Sequence, residues 1–371
     1  MSAVIWFEPY HLGSAPTQEI NRMDVLADKT IRTAPCPHCY VCGSPGHLLY
    51  NELKDRLFDA SGIWSLRACT NDKCGLLWLD PMPIADDIHK AYETYYTHVN
   101  FAARRLSAPR RIARDLGEGY LARRYGYRDQ TLSRWYRTLG WLMNLHPGAM
   151  ANLDFSVFYL AAKNHGRLLE VGFGSGAMLQ SMQGRGWVVE GVDVDPAAVK
   201  NASDKGLQVH LGKLEDLRLP ANSYDAIAMS HVIEHVTEPS ELLKECYRLL
   251  KPGGTVVVIT PNIKSWGHRL YASNWLALDP PRHLHIFSSR SLCVLAQQSG
   301  IRIESLTTTI RDANGLFIAS DAIRKTGKYQ MGSQASSRLT YYWARALLHL
   351  EWLLMHFRRG YGEEIVLIGS K

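Results

Sequence analysis

Residues Leu168–Gly176 read LLEVGFGSG, an apolar run that carries one carboxylate and ends in three alternating glycines. The run predicts a buried strand, and residues 177–185 after the last glycine predict a helix. Alternating glycines let the backbone approach a ligand closely and adopt positive φ. This order of strand, glycine turn and helix indicates a cofactor site in an α/β fold.

Two kinds of cofactor fit the glycine turn. With Ala177 the turn satisfies the G-x-G-x-x-G/A pattern of dinucleotide-binding folds, and Asp193 lies at a suitable distance to bind ribose hydroxyls. Glu170 precedes Gly172 by two residues, where a carboxylate would repel a pyrophosphate and attract a cationic amine. S-adenosylmethionine has such an amine, so Glu170 favours it over a nicotinamide cofactor.

Downstream of the glycine turn, short apolar runs alternate with helical stretches, which is typical of a parallel sheet covered by helices. The predicted strands are Leu168–Phe173, Val188–Asp193, Leu207–Leu211, Tyr224–Ser230, Thr255–Thr260, Ile301–Ile310 and Glu364–Gly369. We therefore predict a doubly wound, mostly parallel seven-stranded sheet in residues 166–371, with a helical insertion at about residues 313–360.

The insertion carries large apolar residues at helical spacing, namely Trp343, Leu347, Leu350, Leu354 and Phe357. Charged residues interrupt this pattern, and no stretch of the chain reaches the roughly 18 apolar residues that a membrane span needs. We expect the helix to pack on the core or against a second copy in a homodimer. Contact with a membrane interface is the alternative.

Further motifs follow the glycine stretch: GVD at Gly191–Asp193, SYD at Ser223–Asp225, HVIEHV at His231–Val236 and LKPGG at Leu250–Gly254. In this order and spacing, the chain resembles the class I S-adenosylmethionine-dependent methyltransferases over about its last 205 residues. The resemblance implies a Rossmann-like methyltransferase domain, S-adenosylmethionine as the cofactor and methyl transfer as the activity.

The resemblance also assigns residues to the cofactor site: Glu170, Gly172, Gly174, Gly176, Asp193, Leu214 and Ser230. The glycines would pass beneath the methionine part and the ribose, and Asp193 would bind the ribose hydroxyls. Lys213 replaces an acidic residue that often flanks the adenine in this family, so a backbone contact from Leu214 is expected there. Ser230 would border both cofactor and acceptor.

Histidines follow the fourth and fifth predicted strands: His231 and His235 after the fourth, His283 and His285 after the fifth. Ligands bind at the carboxyl ends of neighbouring strands in such sheets. Methyl transfer needs an aligned nucleophile and removal of its proton, a task that suits histidine near neutral pH. We expect His231 or His283 to be the base, and His235 and His285 to hold their loops. Alternatively, Glu234 and His235 bind a metal that polarises the acceptor.

The segment Asp279–Ser288, DPPRHLHIFS, resembles the D-x-P-R-H-L-H-x-F-S segment of methyltransferases from bacterial cell-surface glycan and natural-product pathways. This resemblance implies that the segment and the preceding Trp275 line the acceptor pocket. Asp279 and Arg282 would then contact the acceptor, Arg282 through an acidic group. A surface salt bridge is the alternative for Arg282.

Five of the seven cysteines lie within 39 residues. They provide two close pairs, as in tetrahedral four-thiolate zinc sites. The predicted ligands are Cys39, Cys42, Cys69 and Cys74, with Cys36 and His38 as alternatives. Four protein ligands leave no open position, so the zinc would be structural and would stabilise residues 31–85 as a small module. The surrounding residues also resemble the N-terminal zinc-binding part of the same methyltransferases.

The net charge of +7 resides in one segment, residues 101–137, which holds ten arginines and no lysine against three acidic residues. Guanidinium groups pair bidentately with phosphate, so a nucleotide-linked sugar, a lipid-linked glycan and RNA all fit as partners. Solvated helix faces would also explain the charge. No recognisable RNA-binding module accompanies it, which makes RNA the weaker candidate. We predict an Arg-rich helical layer at residues 86–165 over the acceptor pocket, preceded by an N-terminal arm at residues 1–30.

Apolar residues make up 46% of the chain and charged residues 21%, ordinary globular values that exclude a disordered or collagen-like protein. Without a signal-peptide pattern, we expect a cytoplasmic protein, peripheral at the inner membrane surface if its substrate is lipid-linked. The predicted function is methyl transfer to a hydroxyl or carbon of a small sugar-type or natural-product acceptor. An RNA methyltransferase and a non-catalytic cofactor-binding zinc scaffold are the alternatives.

Overall fold

The computed structural model describes residues 30–92, 107–127, 131–330, 338–358 and 360–371. Most of the predicted N-terminal arm lies outside these ranges. The strands are β1 (Thr33–Ala34), β2 (Gly46–Leu53), β3 (Trp64–Cys69), β4 (Leu77–Leu79), β5 (Met82–Pro83), β6 (Arg167–Val171), β7 (Val188–Asp193), β8 (Val209–Leu211), β9 (Tyr224–Ser230), β10 (Leu250–Pro261), β11 (His285–Ile286), β12 (Arg302–Thr309) and β13 (Glu364–Ser370). The α-helices are α1 (Ala108–Arg124), α2 (Arg134–Leu139), α3 (Pro147–Phe155), α4 (Ala177–Gly184), α5 (Pro196–Ser203), α6 (Pro239–Leu249), α7 (Trp266–Tyr271), α8 (Ser289–Gln298), α9 (Ala313–Thr326) and α10 (Arg338–Phe357).

Seven of these strands form the central sheet, in the order β12-β13-β10-β9-β6-β7-β8. β13 runs antiparallel to both of its neighbours, and the pairs from β10 to β8 are parallel. The prediction of a mostly parallel seven-stranded sheet is confirmed. Strand β10 starts at Leu250 and not at the predicted Thr255. Leu250 already pairs with Tyr224 of β9, and the register of this ladder shifts between Leu250 and Thr255.

Helices cover both faces of the sheet, which follows from the alternation of side chains along each strand. In β10, Val256 and Val258 belong to a core shared with α6 and α8. Val257 and Ile259 belong to a second core, shared with α1, α3, α4 and α5. All four valine and isoleucine side chains are completely buried, as expected for a central strand that is covered on both faces.

The cysteine-bearing N-terminal segment shares a second sheet with a strand from the methyltransferase-like part of the chain. Its strands form a second sheet in the order β11-β4-β3-β2, in which β11 comes from the segment that follows β10. In that pairing His285 lies opposite Trp78 and Ile286 opposite Leu77. Two residues of the predicted acceptor segment, His285 and Ile286, therefore form the edge strand of the N-terminal sheet.

A buried ion pair also joins the N-terminal segment to the predicted acceptor segment. The Arg282 guanidinium is completely buried and donates to both carboxylate oxygens of Asp55, each at 2.8 Å. It also donates to Asp279. Asp55 in turn accepts from the backbone N–H groups of Leu57 and Ala60, which fixes the loop after β2.

The described part of the Arg-rich layer packs on the face of the sheet that carries α4. Tyr120 of α1 and Tyr125 donate to the buried Asp154 of α3, at 2.7 and 2.9 Å. Arg185, after α4, pairs with Glu118 of α1 at 3.0 Å. These contacts join α1, α3 and the sheet into one core. Residues 93–106 and 128–130 of the predicted layer lie outside the described ranges.

The predicted helical insertion between β12 and β13 contains α9 and α10, which pack against each other. The buried face of α10 consists of Ala344, Leu347, Leu348 and Glu351. Leu347 alone of the predicted apolar positions lies on that face, and Trp343 and Phe357 are largely exposed. None of the described helices is long and apolar enough to cross a membrane.

We predict that Asp55→Asn lowers the free energy of unfolding by about 3 kcal/mol or more, because it removes a carboxylate partner from a guanidinium that has no access to water. Asp59→Asn is the matched control, since Asp59 pairs with Lys328 on the surface and its loss should cost less than about 1 kcal/mol. Urea denaturation of the two variants measures both quantities. Equal stabilities would contradict the structural role of the Arg282 pair.

Candidate functional site

The glycine turn lies at the carboxyl end of β6 and adopts the backbone shape that its sequence predicted. Gly172, Gly174 and Gly176 have φ values of 70°, 52° and 71°, in the left-handed region that favours glycine. A Cβ atom at Gly172 would collide with Val232, whereas one at Gly174 would meet no atom within 4 Å. The turn therefore presents an open backbone surface at Gly174.

Asp193 ends β7 beside this surface. One of its carboxylate oxygens accepts from the Gly174 N–H at 2.8 Å, and the other accepts from the Asp195 N–H at 3.0 Å. Burial raises the pKa of Asp193. Each oxygen retains acceptor capacity, as a carboxylate that binds ribose hydroxyls requires.

Glu170 is buried behind the turn, and its Oε2 has no hydrogen-bond partner in the described part of the chain. Burial, with the nearby Asp193 charge, raises the pKa of Glu170 well above its usual value. A cationic group placed there would satisfy the oxygen and stabilise the carboxylate. Together with the open turn and Asp193, this oxygen fits S-adenosylmethionine, whose methionine part carries an ammonium group.

The two remaining predicted cofactor residues border the same edge of the sheet. Leu214 is buried in a short 3-10 helix, Leu214–Asp216, which follows β8. Ser230 is the last residue of β9 and is half-buried. Both positions lie at the carboxyl ends of parallel strands, where ligands bind in this class of sheet.

A cavity of about 240 Å³ lies beyond the carboxyl end of β10. Its lining includes three residues predicted for the active site, His231, Asp279 and His283. The other lining residues are Leu57, Pro261, Leu276, Ala277, Asp312, Leu316, Glu363 and Glu364. Sequence reasoning missed Leu57 of the N-terminal segment and the acidic pair that opens β13, because only the tertiary fold brings them to this edge.

His283 is buried and its Nδ1 lies 2.7 Å from the carbonyl oxygen of Ala277. A carbonyl oxygen only accepts, so Nδ1 carries the proton and Nε2 keeps a lone pair. This is the tautomer that can accept a proton or a metal at Nε2.

His231 has a different environment, although it was an equal candidate for the base. Its Nδ1 lies 3.1 Å from Glu234 and its Nε2 lies 2.7 Å from Glu364, so carboxylates engage both ring nitrogens. Burial alone would lower its pKa, but the two carboxylates outweigh burial and raise the pKa of His231 to about 10. An imidazolium of this kind is a poor base at neutral pH.

The other two histidines, which were expected to hold their loops, lie outside the cavity lining. His235 Nδ1 lies 3.0 Å from the carbonyl oxygen of Arg282, and burial is the main cause that lowers the pKa of His235 to about 4. His285 is buried in β11, away from the cavity lining, and burial lowers its pKa to about 4 as well. Both rings are therefore neutral.

The structure places two predicted acceptor contacts, Arg282 and Trp275, outside the cavity lining. Arg282 is neither a ligand for the acceptor nor a surface salt bridge, because Asp55 and Asp279 enclose its guanidinium in the interior. Trp275 is buried outside the cavity lining, and its indole N–H donates to Glu363 at 2.9 Å. Trp275 thus positions a cavity carboxylate and does not contact the cavity itself.

Comparison with known proteins shows the family to which the methyl-transfer motifs belong. Residues 149–306 match the family model described as a methyltransferase domain. A ubiquinone biosynthesis O-methyltransferase of Alkalilimnicola ehrlichii is 30% identical over 168 residues, which are 42% of this chain and 67% of that relative. The chain belongs to the class I S-adenosylmethionine-dependent methyltransferases.

Other matches show how far the likeness to this methyltransferase extends. A ubiquinone biosynthesis O-methyltransferase of Xanthomonas oryzae pv. oryzae is 33% identical over 137 residues, 35% of this chain and 57% of that relative. The solved structure of an S-adenosylmethionine-dependent methyltransferase from Archaeoglobus fulgidus aligns with 64% of this chain and 100% of its own, at 19% identity and a TM-score of 0.41. The family model begins at residue 149, after the cysteine-bearing segment.

The methyltransferase brings four cysteines together at that segment. The Sγ atoms of Cys39 and Cys74 are 3.6 Å apart, those of Cys42 and Cys69 are 3.4 Å apart, and all four lie within 4.8 Å of one another. Four thiolates at 2.3 Å from a tetrahedral zinc ion would be separated by about 3.8 Å. The spacing fits the predicted zinc ligands, and the alternatives Cys36 and His38 lie outside this group.

The Arg-rich segment is only partly described in the methyltransferase structure. Arg124 pairs with Asp154 at 3.3 Å and Arg114 with Asp115 at 2.7 Å, so both already have carboxylate partners. Arg104, Arg105 and Arg128 lie outside the described residues. A phosphate or RNA contact by this segment stays a prediction.

We predict that Gly174→Arg abolishes binding of S-adenosylmethionine, because the side chain would fill the open surface over the turn. Gly253→Arg is the matched control: Gly253 also has positive φ and open space around it, but it lies towards the opposite end of β10. Isothermal titration of each variant with S-adenosylmethionine provides the measurement. Full affinity in Gly174→Arg would contradict this placement of the cofactor.

Proposed function

We propose that this methyltransferase transfers the methyl group to a hydroxyl oxygen of a small, polyhydroxylated acceptor of the sugar type. The observation that carries the proposal is the cavity at the carboxyl end of β10, which His283 lines. Its lining combines five apolar residues with the two histidines and four carboxylate residues. The relatives' description as O-methyltransferases supports an oxygen nucleophile over carbon.

The cavity volume limits the acceptor. About 240 Å³ lies below the range of roughly 300–1,000 Å³ that is typical for drug-sized ligands. The acceptor is therefore a small molecule or one residue at the end of a larger glycan. Whether it carries a phosphate stays a prediction, since Arg282 is enclosed by its own carboxylate partners.

The residues of the chain supply alignment and proton removal. Glu170, Asp193 and the open backbone at Gly174 would hold S-adenosylmethionine. When bound, it supplies a methyl group whose bond to sulfur breaks as the new bond to oxygen forms, with the electron pair staying on sulfur. His283 lines the acceptor cavity, and its Nε2 would accept the hydrogen bond, and then the proton, of the hydroxyl. The His231 imidazolium, whose two N–H groups are held by Glu234 and Glu364, would place a positive charge beside the acceptor without donating to it.

We also propose that Cys39, Cys42, Cys69 and Cys74 hold one structural zinc ion. Its place in the mechanism is indirect. The zinc would fix β3 and β4, and β4 pairs with β11 next to His283. Loss of the metal should therefore disturb the acceptor cavity as well as the N-terminal sheet.

Label transfer tests the proposed function. Purified protein and methyl-labelled S-adenosylmethionine are added to an extract of the source cells, which is then separated into RNA, polar small-molecule and lipid fractions. We expect label in the polar or the lipid-linked fraction. His283→Gln should lower incorporation by about 100-fold or more with unchanged affinity for S-adenosylmethionine, because proton removal typically contributes 10²–10⁴-fold.

The same experiment can overturn the proposal. Label in RNA would establish the RNA alternative, and absence of label from every fraction would favour the non-catalytic scaffold. Gly174→Arg is the negative control for label that does not depend on the bound cofactor. Unchanged turnover in His283→Gln would remove His283 from the chemistry.

For the zinc site, we predict about one equivalent of zinc in the purified protein and its loss in Cys69→Ser, with a fall in the melting temperature. Cys36→Ser is the matched control, because Cys36 lies outside the group of four and should leave zinc content unchanged. Elemental analysis and thermal unfolding provide the two readouts. Zinc retained in Cys69→Ser, or lost in Cys36→Ser, would contradict the ligand set.

A further inference from the structure

A second group of metal-binding side chains lies at the edge of the acceptor cavity. Glu234, His235 and His283 each offer a ligand atom, and these atoms all lie within 4.8 Å of one another. The two imidazole rings are 4.7 Å apart between centroids and stand at 67°. The sequence indicated only the first two residues; the third comes from a loop 48 residues further along the chain.

Backbone carbonyls set both histidines in the form that binds a metal. His283 Nδ1 lies 2.7 Å from the Ala277 oxygen, and His235 Nδ1 lies 3.0 Å from the Arg282 oxygen. The carbonyl contacts place the proton on each Nδ1 and leave the lone pair of the neutral ring on Nε2. The Tyr92 hydroxyl, also 3.0 Å from His235 Nδ1, shares that N–H. A histidine that ligates a metal through one nitrogen almost always donates its other N–H to a carbonyl or carboxylate. The carbonyl contacts are of this kind.

The carboxylate is buried and positioned for the same role. Glu234 is completely buried, and its Oε2 accepts from the Thr260 hydroxyl at 2.9 Å. Its Oε1 lies 3.1 Å from His231 Nδ1, so the charged ring of His231 already faces that oxygen. A buried carboxylate stays ionised beside such a positive charge, and the ionised form is the one that binds a metal.

The backbone holds the two ligand-bearing segments together. The carbonyl oxygen of Glu234 accepts from the N–H groups of Leu284 and His285, at 2.8 and 3.2 Å. The residue before these two is His283. The spacing between the ligands is therefore fixed by main-chain hydrogen bonds and not by long flexible side chains.

We propose that Glu234, His235 and His283 bind one divalent transition metal ion whose open coordination positions face the acceptor cavity. Two imidazoles and one carboxylate suit Zn²⁺, Fe²⁺ or Mn²⁺ better than Mg²⁺ or Ca²⁺. Three protein ligands are typical of catalytic sites, which keep a position for water or substrate. A metal at about 2.1 Å from each ligand atom needs only modest inward rotation of the side chains.

This inference rests on the proposed function and specifies how the acceptor is activated. The metal would hold the acceptor hydroxyl and lower its pKa, so that the proton passes to water in the cavity before the methyl group is transferred. The oxygen then forms its bond to the methyl carbon while the sulfur keeps the electron pair of the broken bond. In this arrangement His283 supplies a ligand, and direct removal of the proton by its Nε2 is no longer needed.

The test counts metal without any methyl transfer. Zinc-loaded wild-type protein is equilibrated by dialysis against Mn²⁺, which prefers oxygen and nitrogen ligands and should leave the thiolate site alone. Elemental analysis then gives the total metal per chain. We expect one equivalent more in wild type than in Glu234→Gln or His283→Gln at a Mn²⁺ concentration that saturates wild type, with affinity in the variants lowered at least about tenfold.

His268→Gln is the control for loss of a buried histidine, since His268 belongs to a separate contact with Tyr50. It should keep the wild-type metal content. Unchanged affinity for S-adenosylmethionine in each variant shows that the fold is intact. Equal metal content in wild type and both ligand variants would overturn the metal site.

Failure of this inference differs from failure of the proposed function. In one outcome, wild-type protein that keeps only the zinc bound by its cysteines forms labelled product as fast as the fully metal-loaded protein. That result would contradict the metal site and leave methyl transfer in place. Binding of the extra metal without label in any extract fraction would contradict the proposed function instead. Glu234→Gln separates the two because it retains both histidines as proton acceptors.

Discussion

The buried charge of Arg282 is the constraint on which the acceptor side of the molecule depends. A guanidinium without access to water is tolerated only when carboxylates accept its hydrogen bonds, and here one comes from the loop after β2 and one from its own turn. The residues after it, Leu284 and His285, then bind the main chain of Glu234, and β11 joins β4. The N-terminal segment is therefore part of the framework around the candidate acceptor cavity, which His283 lines.

The hydrogen-bond and ion-pair partners of the buried polar groups also show which groups remain available to bind a ligand. Most polar atoms around the cavity have protein partners: Arg311 pairs with Glu364, and Trp275, Ser265 and the Gly267 N–H donate to Glu363. Burial is the main cause that raises the pKa of Glu363 to about 7. By contrast, Glu170 Oε2 is a buried oxygen without a hydrogen-bond partner in the described part of the chain. Glu170 lies in the strand that leads into the glycine turn, where a cofactor cation would supply the missing charge.

Local signals explain how much the sequence could predict. The strands of the central sheet are short apolar runs, the glycine turn needs positive φ, and the cysteine pairs are close in the chain, so each was visible without the fold. The partnership of Arg282 with Asp55 joins residues 227 positions apart and leaves no local pattern, which is why the sequence indicated an acceptor contact for Arg282 and not this buried pair. The two carboxylates that make His231 a poor base, and the β11 pairing, were hidden for the same reason.

The central claim is that the cysteine-bearing sheet and the histidine segment form one structural unit. Hydrogen–deuterium exchange of the zinc-loaded and the zinc-free protein tests it most directly, with peptides from β3–β4, from residues 281–288 and from β6–β7. We expect zinc removal to increase exchange in the first two regions together, because β11 pairs with β4, while β6–β7 stays protected. Increased exchange confined to β3–β4, with residues 281–288 unchanged, would contradict the account.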